Sequence, residues 1–147
     1  PVSVSVYNMH RAFPACDIVI KAAAVADYRV KNVSDQKIKK NDAELTLVLE
    51  KNPDILKELG EMKQPHQTLV GFAAETQNLL QYAQGKLEKK NLDMIVANDV
   101  SKPQAGFNVD TNLIKLLKRD GSIEELPLMS KKELAYIILD RVMKLRK

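Results

Sequence analysis

The chain contains no tryptophan, one cysteine, two histidines and only five glycines, and each scarcity closes off a class of function. A lone Cys16 cannot form an intramolecular disulfide, which fits a reducing compartment; at the head of an apolar segment it reads as a packing residue. His10 and His66 fall in no HExxH-type spacing, so no histidine metal site is legible, and His66, between Pro65 and Gln67, reads as a loop residue. Without a GxSxG elbow or a Cys/His pairing, hydrolase and protease chemistry have no support. The glycines form neither a GxGxxG turn nor a Walker loop. No apolar run approaches the ~18 residues of a membrane-spanning helix. Aromatics make up 5% of the chain, too few for the grouped stacking platforms that hold single-stranded bases. The net charge of +4 comes from lysines interleaved with acids, a pattern that a small anionic ligand explains as well as a polymer does.

What is present is ordinary globular material: 147 residues, 45% hydrophobic and 29% charged, enough for one domain, 1–147, with a substantial core. Val2, Val4 and Val6 alternate, which predicts a short strand leading into a helical turn around Met9–Phe13, closed by Pro14. Asp17–Val25 is a nearly continuous apolar run, as in a strand covered on both faces. Tyr28–Asp42 is polar and lysine-rich, hence a loop or flap. Glu44–Glu50 places Leu45, Leu47 and Leu49 on one side, the pattern of a half-buried strand.

Asn52-Pro-Asp54 opens a helix with a capping side chain, proline at the first helical position and an acid in the first turn; Gly60 marks its end. Thr68–Ala74 reads as a buried strand. Thr76 is placed to cap a helix carrying Leu79, Leu80, Ala83 and Leu87 at helical spacing, and Asp93–Ala97 makes the next strand. Leu113–Leu126 reads as two strands joined at Asp120-Gly121. Ser130-Lys-Lys-Glu133 is a capping-box pattern, followed by the stripe Leu134, Ile137, Ile138, Val142 and Leu145. Strands alternating with helices, closed by a hairpin and a helix, predict an α/β sheet.

The residues that bear chemistry point to an anion. The helix start at Asn52–Leu56 presents free N–H groups and the positive end of a dipole. Lys37, Lys39 and Lys40 precede it on a segment without a core stripe, placed to close over phosphates. Gly71-Phe-Ala-Ala74 surrounds one ring, Phe72, with small residues, so that a base could lie against it. Asn98-Asp99, at the end of a strand, could orient a ligand or simply make a turn.

Taken in order, Ala22-Ala-Ala-Val-Ala-Asp-Tyr28, Lys37-Ile-Lys-Lys40, Lys51-Asn-Pro-Asp-Ile55, Gly71-Phe-Ala-Ala-Glu-Thr76, Lys90-Asn-Leu-Asp93 and Ala97-Asn-Asp-Val100 closely resemble bacterial phosphopantothenoylcysteine synthetase. That enzyme is the ligase half of the bifunctional coenzyme A biosynthesis flavoprotein. Gly106-Phe-Asn108 and the closing hairpin and helix match as well, so the resemblance covers the chain from about Val4.

The resemblance implies a Rossmann-like, mostly parallel sheet with flanking helices, a flap and dimerisation region near Tyr28–Glu50, and a C-terminal hairpin plus helix. It implies that CTP activates 4′-phosphopantothenate as an acyl-cytidylate, which cysteine then captures, with magnesium offsetting charge. Asp27 and Lys37 then look like CTP-site residues, Lys37 also converting the acyl-cytidylate. Pro53, Asp54, Ile55 and Leu56 correspond to the nucleotide-binding helix start, and Phe72, Lys86 and Lys90 to further CTP contacts. Lys86 and Lys90 share a helix face at i, i+4. Ala23 and Ala24 look like the small residues beside which phosphopantothenate lies.

The resemblance further implies a cytoplasmic homodimer with no nucleic-acid or membrane partner and no FMN in this chain. Family members begin the domain with a glycine-rich strand–turn–helix that has no counterpart here. The chain is therefore expected to be the C-terminal majority of the ligase domain, with impaired activity alone. Two alternatives stay open on the residues: a basic nucleic-acid- or protein-binding module, marked by steep salt dependence and no cytosine preference, and an NAD(P)-dependent oxidoreductase fragment, marked by hydride transfer.

Overall fold

The computed structural model describes residues 2–38, 44–75, 77–101 and 109–146. Its centre is a five-stranded sheet in the order β1-β4-β5-β7-β8, made of β1 (Ile18–Lys21), β4 (Thr68–Glu75), β5 (Met94–Asp99), β7 (Ile114–Lys118) and β8 (Ile123–Glu125). The first three strands run parallel, and β7 and β8 add antiparallel to β5. Two small antiparallel pairs lie outside it: β2 (Tyr28–Val30) with β3 (Leu49–Lys51), and β6 (Thr111–Asn112) with β9 (Met129–Ser130). The fold is α/β and Rossmann-like, as the resemblance implies.

Strand alternation divides the core into two layers. Leu69, Ala73, Ile95, Ala97 and Leu117 face Ile55, Leu59, Ala83 and Leu87 of α2 (Ile55–Met62) and α3 (Leu79–Lys89). Val70, Met94, Val96, Ile114 and Leu116 face Leu134, Ile138 and Val142 of α4 (Lys131–Leu145). Ser130 and Glu133 form the expected capping box at the head of α4. Arg141 pins that helix to β8, its Nη2 lying 2.6 Å from Glu124 Oε1. Gly121 makes the β7–β8 turn at φ 84°, in the left-handed region that its missing side chain permits. On the other layer, Lys63 Nζ reaches both carboxylate oxygens of Asp93 at 2.8 and 2.9 Å, while Asp93 Oδ2 accepts from the Leu69 N–H. These bonds tie the exit of α2 to the heads of β4 and β5.

Several sequence expectations are corrected. Val2–Ala12 is a helix, α1, not a strand: Val6, Met9 and Phe13 meet the core at i, i+3 and i+7, and that packing overrides the strand preference of the alternating valines. Asp17–Val25 supplies only a four-residue strand, after which 22–27 carries no regular structure. Only the last part of Glu44–Glu50 pairs, and Leu45, Leu47 and Leu49 are 66%, 53% and 55% exposed. Segment 45–49, leading into β3, is thus apolar on a surface that the described residues do not cover.

Helix α2 starts later than expected, at Ile55, because Asp54 and not Asn52 is its cap. It also runs through Gly60 to Met62. Gly60 serves an approach between chains of atoms, not a helix stop. A methyl group there would overlap the Lys90 carbonyl oxygen, and Asn91 Nδ2 donates to the Gly60 carbonyl at 2.8 Å. Leu80 is more exposed than its helical spacing implied. Asn98 and Asp99 are the last residues of β5, not a turn after it. Lys39, Lys40, Thr76 and Gly106–Asn108 lie outside the described residues. Among the described residues, no helix is long and apolar enough to cross a membrane.

Gly60→Ala is expected to destabilise the fold by several kcal/mol, on the scale of a core overpacking. Gly85→Ala, in the interior of α3 with nothing within 4 Å of the added methyl, is expected to be neutral or to stabilise by ~0.5–1 kcal/mol. Denaturant melts of the two variants check the pair.

Candidate functional site

The register of the central sheet aligns Lys21 with Gly71, and Ala74 with Asn98 and Ile114, at one end of the molecule. There the carboxyl ends of β1, β4 and β5 open into a cleft of about 670 Å³, the place where open α/β sheets hold ligands. Segment 22–27 runs along its mouth. The small side chains Ala22, Ala23, Ala24 and Ala26 leave room beside the backbone.

Asn52 holds that segment in place. Its side chain donates to the Ala26 carbonyl at 2.7 Å and its N–H donates to the Asp27 carbonyl at 2.8 Å. With Asn52 so committed, Asp54 becomes the residue free to cap α2, and its carboxylate accepts from the Lys57 N–H at 3.2 Å. The positive end of the α2 dipole therefore faces the cleft within a rigid corner.

A polar arm of the cleft surrounds this corner. Lys90, just past the end of α3, places Nζ 2.9 Å from Asp54 Oδ2 and 3.1 Å from Oδ1. Lys86 lies one turn earlier on the same helix face and also lines the cleft. Lys21, the last residue of β1, donates from Nζ to the Ala23 carbonyl at 3.0 Å. The charges act on one another. Burial pushes the Asp54 carboxyl up, but the hydrogen bond from Lys90, the Lys57 N–H and the charges of Lys90 and Lys21 together hold it below the usual aspartate range. Burial lowers the Lys21 ammonium, Lys90 lowers it further, and Asp54 only partly opposes them. The arm thus gathers Lys21, Lys86 and Lys90 around the Asp54 carboxylate.

An apolar arm continues on the α4 side of the sheet. Ile20, Phe72, Val96 and Ile114 face Leu134 and Ile138 across it. Asn98 also lines the cleft, and among the described residues its buried Oδ1 accepts no hydrogen bond. No group of three or more His, Cys, Asp or Glu side chains able to hold a metal converges among the described residues.

Of the residues singled out from the sequence, Ala23, Ala24, Asp27, Pro53, Asp54, Ile55, Leu56, Phe72, Lys86 and Lys90 all line this one cleft. Ile55 and Leu56 do so although both are buried members of the core. Phe72 packs on the α4 side, across the sheet from Asp54 and Lys90. Lys37 is exposed on 31–38 and is not among the lining residues. Lys21 and Lys131 also belong to the site's surroundings and were not singled out, and Asn52, read from the sequence as the capping residue of the helix start, serves as a clamp instead. A charged residue closing an apolar strand was the available signal for Lys21; nothing local marked Asn52 as a clamp, because its partners lie 26 and 25 positions earlier.

Comparison with known proteins places this geometry. The profile of the DNA/pantothenate metabolism flavoprotein C-terminal domain matches residues 5–145. The coenzyme A biosynthesis bifunctional protein CoaBC of Bacillus subtilis is 53% identical over 135 residues, 92% of this chain and 33% of that protein. The crystal structure of the C-terminal domain of a CoaBC shares the fold with a TM-score of 0.74 and 42% identity, over 95% of this chain and 60% of that one. A Cab2 mutant in complex with phosphopantothenate-cysteine has the same fold with a TM-score of 0.72 at 17% identity, over 98% of this chain and 51% of that one. The chain spans about a third of the length of the curated relatives it matches.

Asp54→Ala is expected to lower stability by ~1 kcal/mol at neutral pH through loss of the cap. The folded Asp54 carboxyl lies below its ordinary value, so its contribution is complete above the unfolded aspartate range and is lost as pH falls through the folded value. Urea melts across an acid series should show the two proteins converging at the low end.

Proposed function

The chain belongs to the DNA/pantothenate metabolism flavoprotein C-terminal domain family, and from that premise we propose that it is part of a CTP-dependent phosphopantothenate–cysteine ligase of coenzyme A biosynthesis. The observation that carries the reading is the union, in one cleft at the strand ends, of a capped helix start, four lysines and a floor of alanines. Such a cleft takes a polyanion beside a slender chain. The names of the relatives, CoaBC and a Cab2 complexed with phosphopantothenate-cysteine, supply the two substrates.

In the proposed reaction a carboxylate oxygen of phosphopantothenate attacks the α-phosphorus of CTP. The α–β P–O bond breaks and pyrophosphate leaves, giving an acyl-cytidylate. The cysteine amine then attacks the acyl carbon; a C–N bond forms, the C–O bond to phosphate breaks, CMP leaves and the amine loses its proton. Lysine charge on the phosphates matters most as pyrophosphate departs, because negative charge accumulates there.

Lys86 and Lys90 hold phosphate, Lys90 exchanging Asp54 for the ligand. Pro53–Leu56 offer the helix end. Asp27 contacts the nucleotide, and Phe72 borders it from the apolar side. Ala23 and Ala24 admit phosphopantothenate to the mouth. Lys37 comes to the acyl-cytidylate from the segment following β2. Magnesium enters as the counterion of the triphosphate: that cation keeps most of its waters and needs few protein ligands, which suits a cleft whose lining, among the described residues, includes the carboxylates of Asp27 and Asp54. The exposed Leu45, Leu47 and Leu49, on the segment that leads into β3, support a homodimer formed through that region. A free-thiol substrate supports a reducing, cytoplasmic setting.

Pyrophosphate release from CTP, phosphopantothenate and magnesium tests the reading, with ATP in place of CTP as the control. Turnover or binding that prefers CTP is expected; indifference between the two nucleotides would contradict it. In the full-length protein, Lys37→Gln should reduce phosphopantothenoylcysteine formation by more than it reduces pyrophosphate release, and equal loss of both would remove Lys37 from the second step.

A further inference from the structure

Lys21 is a cation that neither the motifs nor the relatives' names assign to the reaction. It ends β1 at the sheet's carboxyl edge. Val19, two positions earlier, packs into the layer formed with α2 and α3. Strand alternation therefore directs Lys21 toward the same side, where the head of α2 and the end of α3 lie. Its Nζ is held at the mouth by the Ala23 carbonyl, 3.0 Å away. Across the same space stands the Asp54–Lys90 ion pair, and Lys86 lines the cleft one turn from Lys90.

The bond to Ala23 leaves the Lys21 ammonium, with its three donors, able to give further hydrogen bonds. Burial and the neighbouring Lys90 both work against its charged form, and Asp54 opposes them only in part. An anion placed between Lys21, Lys90 and the α2 N-terminus relieves that crowding, since opposite charge favours the charged form of each amine.

We propose that Lys21 is a positioning residue for the β,γ-phosphates of the bound nucleoside triphosphate, which it grips opposite Lys86 and Lys90. The inference rests on the CTP reading above and adds to it the part of the ligand that this lysine touches. The α-phosphate, nearer the nucleoside and the acyl substrate, is left to the helix end. Lys21 thereby favours the nucleotide that still carries its leaving group over the CMP that remains after reaction.

Calorimetric titration of the full chain with CTP and with CMP, both with magnesium, tests this. Lys21→Met and Lys21→Gln remove the charge, and Gln keeps a donor for the Ala23 carbonyl. Both are expected to weaken CTP binding about tenfold while changing CMP binding by less than about twofold, a tenfold change being about 1.4 kcal/mol. Lys21→Arg should restore CTP affinity to within about threefold. Lys89→Met, exposed on α3 and outside the cleft, should change neither. A thermal melt of each variant establishes that it is folded, and the Gln variant serves where Met is not tolerated.

Equal weakening of CTP and CMP would show that Lys21 only shapes the 22–27 segment, and would overturn the proposal. Unchanged CTP affinity in both neutral variants would overturn it too, with the CTP reading left standing. Failure of the unaltered chain to bind either nucleotide would instead overturn the CTP reading, and the role of Lys21 with it.

Discussion

The side-chain-free contact between Gly60 and the Lys90 carbonyl governs the geometry of the cleft. A helix can press its backbone onto the end of another only where one of them carries no Cβ, and here that residue is Gly60. Asn91, in the left-handed region at φ 50°, completes the junction by donating to the Gly60 carbonyl. The chain reversal that follows α3 is thereby fixed against α2. Lys90, whose carbonyl makes the contact, projects its side chain along α2 toward the cap at the helix's other end and meets Asp54. A packing requirement in the core thus sets a charge at the ligand mouth.

From that corner the rest of the site follows in order. Asn52 ties the 22–27 segment, at Ala26 and Asp27, to the start of the helix. Asp54 holds two functions at once, capping α2 and occupying Lys90, and both depend on its being ionised. A phosphate arriving at the helix end competes for Lys90 with a carboxylate that is already well solvated by donors. In the proposed reading the site exchanges one anion for another, and Lys90 is not left as a bare cation because Asp54 pairs with it. Core and site share residues here: Leu56 contributes to the cleft wall and also fills the space that Gly71 leaves, where an added Cβ would lie 2.6 Å from its Cδ2.

Much of this was legible in the chain. Strong periodicity and cap chemistry identified α4 with its capping box, the Asp120-Gly121 turn and strands β4 and β5 nearly residue by residue. The ordered motifs gathered ten residues that the fold does bring to one cleft. The failures have a common cause, because each is decided by contacts distant in sequence. Val2, Val4 and Val6 look like a strand until Val6, Met9 and Phe13 are seen to share a core cluster. Gly60 looks like a helix stop until residue 90 is brought against it. Asn52 is a better cap than most by local rules, yet its side chain is taken by the Ala26 carbonyl. The leucines of 45–49 alternate as a buried strand would, and the sheet that would cover them is not within this chain's described residues.

The central claim is that the arm framed by Lys21, Asp54, Lys86 and Lys90 receives the nucleotide's phosphates. Mapping backbone and lysine-ammonium NMR signals during titration with magnesium and CTP measures it directly. The expected result is that the largest shifts fall on Lys21, Asp54–Leu56, Lys86 and Lys90, with smaller ones on Phe72. Shifts concentrated instead at the opposite end of the sheet, on His66, Lys118, Arg119 and Arg146, would contradict the claim and move the anion site to the other side of the molecule.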